Sequence, residues 1–322
     1  MRVPVLCISL AWVSAFGRQP EKNIADRCDT QMVFWEAAVT DGPGGEAIRG
    51  LSRADFQLYD NGRAEDIIAC EPLGALQIIL VVDKGSLVLV RERAFWSDLK
   101  KALLGLNGHD RVALLRLDYG DIRWLHDFTS DPKPVLDLLT GDKTQPRLQS
   151  MRQPAFDALA EAARKFQTAN ACTGRAIIVL SNDRERDSQL TPEGAIEQVL
   201  KANAGVYHAI LDNVGGGVTV VGLPWPLPRP EIRGPRPPWV PSVGMARVVR
   251  RTGGEQVAAS ASRKTLSTLL GRLRNQYVLS YKRPPYAGKG EFRTVSVQLS
   301  EAVRRRYPGA VVRTRAGYYA TD

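Results

Sequence analysis

Continuous apolar runs that alternate with amphipathic stretches constrain this chain more than any other feature. Gln77–Val82 (QIILVV), Arg111–Leu117 (RVALLRL), Ala176–Leu180 (AIIVL) and Val206–Leu211 (VYHAIL) are short runs of strand length. Runs this apolar suit parallel strands covered on both faces. Between them, Phe95–Leu106 and Pro154–Phe166 carry apolar residues at helical spacing. Thr191 stands as N-cap before a helix over Pro192–Ala202. Ile122–Leu125 is expected to pair with Arg111–Leu117 across the Tyr119-Gly120-Asp121 turn. The pattern predicts an α/β fold, a doubly wound, mostly parallel sheet with one antiparallel edge strand.

The two ends read differently. Met32–Thr40 is a strand, Asp41–Gly45 a turn, and Asp55–Tyr59 leads through Asp60-Asn61-Gly62 into a return strand over Ala64–Ala69. After two more helices, near Met245–Arg251 and Ser262–Asn275, the tail returns to strands at Tyr277–Tyr281, Glu291–Leu299 and Val311–Tyr319. Neither short β segment buries a core alone, so 28–72 and 276–319 are expected to combine as an accessory β domain. The α/β domain then spans 75–275. Within it, 215–241 holds eight prolines and cannot be helix or central strand, so it reads as an extended, polyproline-like loop.

The first residues have the form of a signal peptide over 1–17. Arg2 precedes an apolar stretch from Val3 to Val13, with small residues at Ser14, Ala15 and Gly17. That stretch is too short to span a bilayer. Export, to a periplasmic or extracellular location, is therefore expected, with no transmembrane span in the mature chain. Cleavage removes Cys7 and leaves Cys28, Cys70 and Cys172, an odd set that allows one pair or none. Cys28 and Cys70 flank the first β-rich segment and form the preferred disulfide if one exists.

Hydrophobic residues make up 44% and charged residues 24% of the 322, which excludes a disordered chain. The net charge of +10 is uneven, with eleven basic against three acidic side chains after residue 270. A basic surface attracts acidic polymers or anionic envelopes. No zinc-finger spacing, RNA-binding signature or basic helix accompanies it, so nucleic acid is not an expected partner. Nucleophile elbows, phosphate loops and metal-site spacings are missing from the sequence as well. His109-Asp110 and His126-Asp127 read as turn and capping residues, and His208 as a core or half-buried histidine. No catalysis is assigned.

Several stretches, taken in order, carry a resemblance. They are AAVTDGPGGEAIRGLSRADFQLYDNGRAEDI at 37–67, the strand Gln77–Asp83, RVALLRLDYGDIRWLHDFTSDP at 111–132, and AFDALAEAARKF at 155–166. QYVLSYKRP at 276–284 follows, with GEFRTVSVQL and VRTRAGYYA behind it. Together they resemble the von Willebrand factor A-related exported proteins of acidobacteria, over nearly the whole mature chain. The resemblance implies a Rossmann-like sheet and an adhesion site at its carboxyl edge, where a divalent cation bridges to a carboxylate of the bound partner. Oxygen ligands suit such a cation.

Here that site looks degenerate. The Asp-x-Ser-x-Ser loop reads Asp83-Lys84-Gly85-Ser86-Leu87, with Ser86 out of register and a cation at Lys84. The threonine position falls at or near Gln153, and the last aspartate position at Asn182, one residue before Asp183. Asp83, Ser86, Asn182 and Asp183 remain as residual ligands for at most a weakly held magnesium or manganese ion, and no resident cofactor is expected. The proline-rich loop leaves Val206–Leu211 toward the same edge. Its Trp225, Arg229, Arg233, Arg236 and Trp239 are candidate ligand contacts. The resemblance thus implies a non-catalytic protein-protein or cell-surface binding module, bacterial and secreted, with the ligand and oligomeric state unassigned. The alternative is a basic envelope-surface or acidic-polymer binder acting through the C-terminal β unit.

Overall fold

Side-chain alternation along β5 (Leu76–Asp83) sets the architecture. Leu76, Ile78, Leu80 and Val82 enter one core layer, and Ile79 and Val81 the other. β5 lies between β6 (Arg111–Asp118) and β8 (Gly174–Ser181). Outside β8 come β9 (Gly205–Ile210) and β10 (Gln256–Ala258), and outside β6 comes β7 (Asp121–Thr129). All run parallel except β7, which pairs antiparallel with β6. One face packs on α2 (Arg93–Leu104), α3 (Lys133–Gly141) and α7 (Thr265–Arg274). The other packs on α4 (Ala155–Gln167), α5 (Pro192–Lys201) and α6 (Val243–Arg251). A single turn, α1 (Lys84–Leu87), follows β5 directly.

The computed structural model describes residues 32–87, 90, 93–118, 120–141, 153–167, 173–183, 185, 187–211, 243–259, 264–285 and 288–320. The expected signal peptide over 1–17, Cys7, Cys28, Cys172 and the proline-rich segment with Trp225, Arg229, Arg233, Arg236 and Trp239 lie outside them. Among the described residues no helix is long and apolar enough to cross a membrane.

Both chain ends enter two four-stranded sheets. One has the order β13 (Ala310–Arg313), β1 (Met32–Asp41), β11 (Tyr277–Lys282), β4 (Ala69–Pro72). The other has β14 (Gly317–Tyr319), β12 (Phe292–Leu299), β2 (Phe56–Asp60), β3 (Arg63–Glu65). They share a core around Trp35, Leu58, Leu279 and Tyr281. Asn61 and Gly62, both at positive φ, make the tight turn between β2 and β3.

Two expected strands are each divided between the sheets. The return strand after Gly62 pairs with β2 only through Glu65, and by Ile68 the backbone N–H donates to Ser280 of β11. The tail splits at Thr314–Ala316 because Arg315, 5% exposed, is drawn into the domain boundary. Its guanidinium bonds Glu36 at 2.7 Å and Asn203 at 2.9 Å and stacks over Trp35, while Ala316 N–H donates to Arg251 O. Three elements had no clear sequence signal: α3, the three-residue β10, and α8 (Glu301–Arg306), capped by Ser300.

The carboxyl edge of the sheet as candidate site

The chain winds outward from β5 through β6 to β7, then crosses back to β8 on the other side. The ends of β5 and β8 therefore form the topological switch point, where doubly wound sheets leave a crevice. Asp83 ends β5 and Ser181-Asn182-Asp183 ends β8.

Asp83 is 3% exposed, and its carboxylate is ringed by donors. Gly85 N–H reaches Oδ1 at 3.3 Å, and Ser86 N–H reaches Oδ2 at 2.9 Å. The Ser86 hydroxyl also donates to Oδ2, and its oxygen accepts from Asn182 N–H at 3.0 Å. The amide of Gln153, from the segment entering α4, completes the ring at 2.9 Å from Oδ2. A carboxylate only accepts, so the nitrogen of Gln153 must face it. Burial raises the Asp83 pKa, and the bonds from Ser86 and Gly85 oppose that rise.

This arrangement does not fit a divalent cation. A cation needs oxygen lone pairs pointed at it, whereas Asp83 faces N–H and O–H groups that occupy its own lone pairs. Lys84 adds positive charge beside it, with Nζ 3.9 Å from Asp118. Among the described residues no three carboxylate, imidazole or thiol side chains converge as metal ligands. The structure brings Asp83, Ser86 and Asn182 together, while the Asp183 carboxylate turns to His208, 3.6 Å from Nδ1.

His208 had no assigned partners from sequence. It is fully buried, with Ser181 Oγ 2.9 Å from Nε2 and Gln256 Nε2 3.0 Å from Nδ1. Burial lowers its pKa to about 4. The parallel register sets His208 opposite Val179, two residues before Ser181. A histidine inside an apolar strand next to a strand ending in serine is the signal sequence reasoning had for this pair.

The loop after β8 is tied to the start of α4. Glu185 accepts from Ala155 N–H at 2.8 Å and Phe156 N–H at 3.3 Å, filling helix N-terminal donors. Asp157 accepts in return from Gln189 and Leu190 N–H. Burial raises the Glu185 pKa against these bonds. Asp183 and Asp187 hold positive φ in the same loop. The switch point is thus preorganised by side chains from three segments.

Away from the edge, Asp110 accepts from Leu76 and Asn107 N–H and pairs with Arg274, so it braces a turn at the opposite end of the strands. Asp127 bonds Phe128 N–H and pairs with Lys165. Cys70 is a half-buried thiol whose pKa burial pushes up to about 11. Its candidate partner Cys28 lies outside the described residues, as do the Trp and Arg residues of the proline-rich loop.

The strand order, the antiparallel β7 and the switch point between β5 and β8 define a doubly wound, mostly parallel α/β domain, the fold that the resemblance to von Willebrand A-related proteins implies. No protein-family profile matches the chain, nor does any curated protein. Solved structures similar to it include an aerotolerance-related membrane protein from Bacteroides fragilis, 18% identical over 62% of this chain and 98% of its own, with a TM-score of 0.43. BatB from Bacteroides thetaiotaomicron is 20% identical over 62% of this chain and 97% of its own, at 0.41. The vWF domain of the type V pilus tip protein Mfa5 from Porphyromonas gingivalis is 18% identical, over 36% and 40%, at 0.30. The fold assignment rests on the strand order and not on these distant likenesses.

Proposed function

We propose that the chain is an exported, non-catalytic binding module whose binding face is the carboxyl edge of the α/β sheet and works without a divalent cation. The donor ring around Asp83 carries this reading. Gln153 and Ser86 fill the carboxylate positions that a cation would need. The loop after β8 is held to α4 through Glu185, Ser188 and Asp157, so a partner meets a preorganised edge. The Ser181–His208 pair is withdrawn from solvent, 6% and 0% exposed, which speaks against this pair as a nucleophile and base. Export follows from the form of residues 1–17. Trp225, Arg229, Arg233, Arg236 and Trp239 of the proline-rich segment are proposed as ligand contacts.

The test is capture of a protein partner by the immobilised full mature chain from an envelope extract, with and without EDTA. The reading expects the same partner retained in EDTA and lost when Asn182→Tyr places a ring on the edge. Capture abolished by EDTA, or unaffected by the tyrosine, overturns it. A second reading has one observation behind it: α8 ends in the exposed Arg304, Arg305 and Arg306. Binding of an acidic polymer through that turn would collapse in high salt, whereas a preorganised edge contact would not.

A further inference from the structure

Next to the switch point, on the α2–α3 face of the sheet, lies a cavity of about 470 Å³. Leu114 and Leu125 form its floor on β6 and β7, Trp96 of α2 and Leu139 of α3 its walls, and Lys84, Arg116 and Thr140 its polar lining. Its origin can be read from the strand pattern. On β6, Val112 and Leu114 enter the core layer beneath α2 and α3, and alternation directs Arg116 to the same layer. An apolar side chain at 116 would extend that core. A guanidinium stands there instead, and the one-turn α1 follows the end of β5.

The charges at this end of the cavity are largely withdrawn from solvent. The side chains of Lys84, Arg116 and Asp118 are 12%, 18% and 15% exposed. Arg116 pairs with Asp118 at 2.8 Å, and Lys84 approaches the same carboxylate at 3.9 Å. Both cations thus border an apolar hollow while engaged with Asp118. Poorly solvated cations hold an anionic head group far more strongly than exposed ones do. Trp96 is fixed by its indole N–H bond to Val90 O, and the Thr140 hydroxyl by its bond to Leu136 O. The walls are therefore preformed, and the volume falls within the roughly 300–1,000 Å³ of small-molecule sites.

We propose that this cavity binds a small amphipathic carboxylate, with its hydrocarbon body against Leu114, Leu125, Trp96 and Leu139 and its head group on Arg116 and Lys84. The cavity borders the proposed partner-binding edge at Lys84, but its ligand reading stands on its own lining and does not rest on that edge being a binding face. The test is titration calorimetry of the full mature chain with decanoate and, as an uncharged counterpart, decanol. Wild type is expected to bind one decanoate saturably and to prefer it to decanol. Arg116→Gln should weaken decanoate tenfold or more and leave decanol unchanged. Leu138, 38% exposed on the cavity rim, tolerates enlargement, so Leu138→Trp should block both ligands in a folded protein. No saturable decanoate binding, equal affinity for decanol, or binding indifferent to both variants overturns the proposal.

Discussion

Gln153 Nε2 lies 2.9 Å from Asp83 Oδ2, joining the segment that enters α4 to the end of the central strand β5. A neutral donor thereby occupies the side of a buried carboxylate that would otherwise need a cation. Hydrogen bonds to charged groups contribute about 1.5–3 kcal/mol. Because Ser86 and Gly85 continue to donate, Gln153→Ala should cost about 1–2 kcal/mol, read from urea denaturation at neutral pH. An unchanged midpoint would mean the bond contributes nothing.

His208 makes stability fall in mild acid. Burial holds its folded pKa near 4 against an ordinary value of 6.5. Between those values the unfolded chain binds the extra proton, so stability declines as pH falls through the window and levels off below it. The loss is up to about 3 kcal/mol at 1.36 kcal/mol per unit. Ser181, Asp183 and Gln256 face the ring, and Asp183 is the titratable neighbour. Asp83 and Glu185, with raised pKa values, act in the opposite sense, losing their contribution as pH rises. The variant comparison isolates the histidine: His208→Gln should show a shallower decline from pH 6.5 to 4 than wild type. Equal slopes would contradict the assignment.

Asp60 organises the accessory β unit. Fully buried, it accepts from Arg293 Nε at 2.8 Å, Tyr281 OH at 3.0 Å and Tyr318 OH at 2.9 Å. Burial, reinforced by Asp60, pushes the Tyr318 pKa up to about 12. Asp60→Ala removes the fully buried partner of the Arg293 charge, leaving Glu291 at 3.7 Å from it, and should cost about 3–5 kcal/mol. Tyr281→Phe, which keeps the ion pair, should cost about 1 kcal/mol. Denaturant unfolding of the two variants checks the order, and equal losses would refute it.

The start of α7 is capped from another helix. Its own N-cap residue Lys264 supplies no side-chain bond, and Asp98 of α2 accepts from Leu266 N–H at 2.7 Å and Ser267 Oγ at 2.5 Å. Asp98→Ala should cost about 1–2 kcal/mol, the usual effect of removing an N-cap. Amide exchange in Leu266–Leu270 should accelerate with it, and unchanged protection would argue against this cap.

Sequence carried the α/β sheet because its strands are buried on both faces and advertise that in continuous apolar runs. It carried less where a residue's role depends on a distant partner. Asp98 and Asp60 look like ordinary surface acids until α7 and β12 are placed against them. β10 is three residues long and gains its place by pairing with β9 around His208. At the candidate site, the resemblance pointed to Gln153 as a ligand position that had changed, but not to the bond it makes. Arg116 is one polar residue in the apolar run RVALLRL, and its place in a cavity lining depends on Trp96 of α2 and Leu139 of α3 packed over it.

The most direct test of a cation-free edge is manganese titration of the full mature chain, by calorimetry and by thermal melting, beside Gln153→Glu. In the variant a second carboxylate faces Asp83 next to the Ser86 hydroxyl, the kind of oxygen set that holds a hard cation. The account predicts no saturable heat and no change in Tm for wild type, and manganese binding with a raised Tm for Gln153→Glu. Micromolar manganese binding by wild type, with a rise in its Tm, would contradict it.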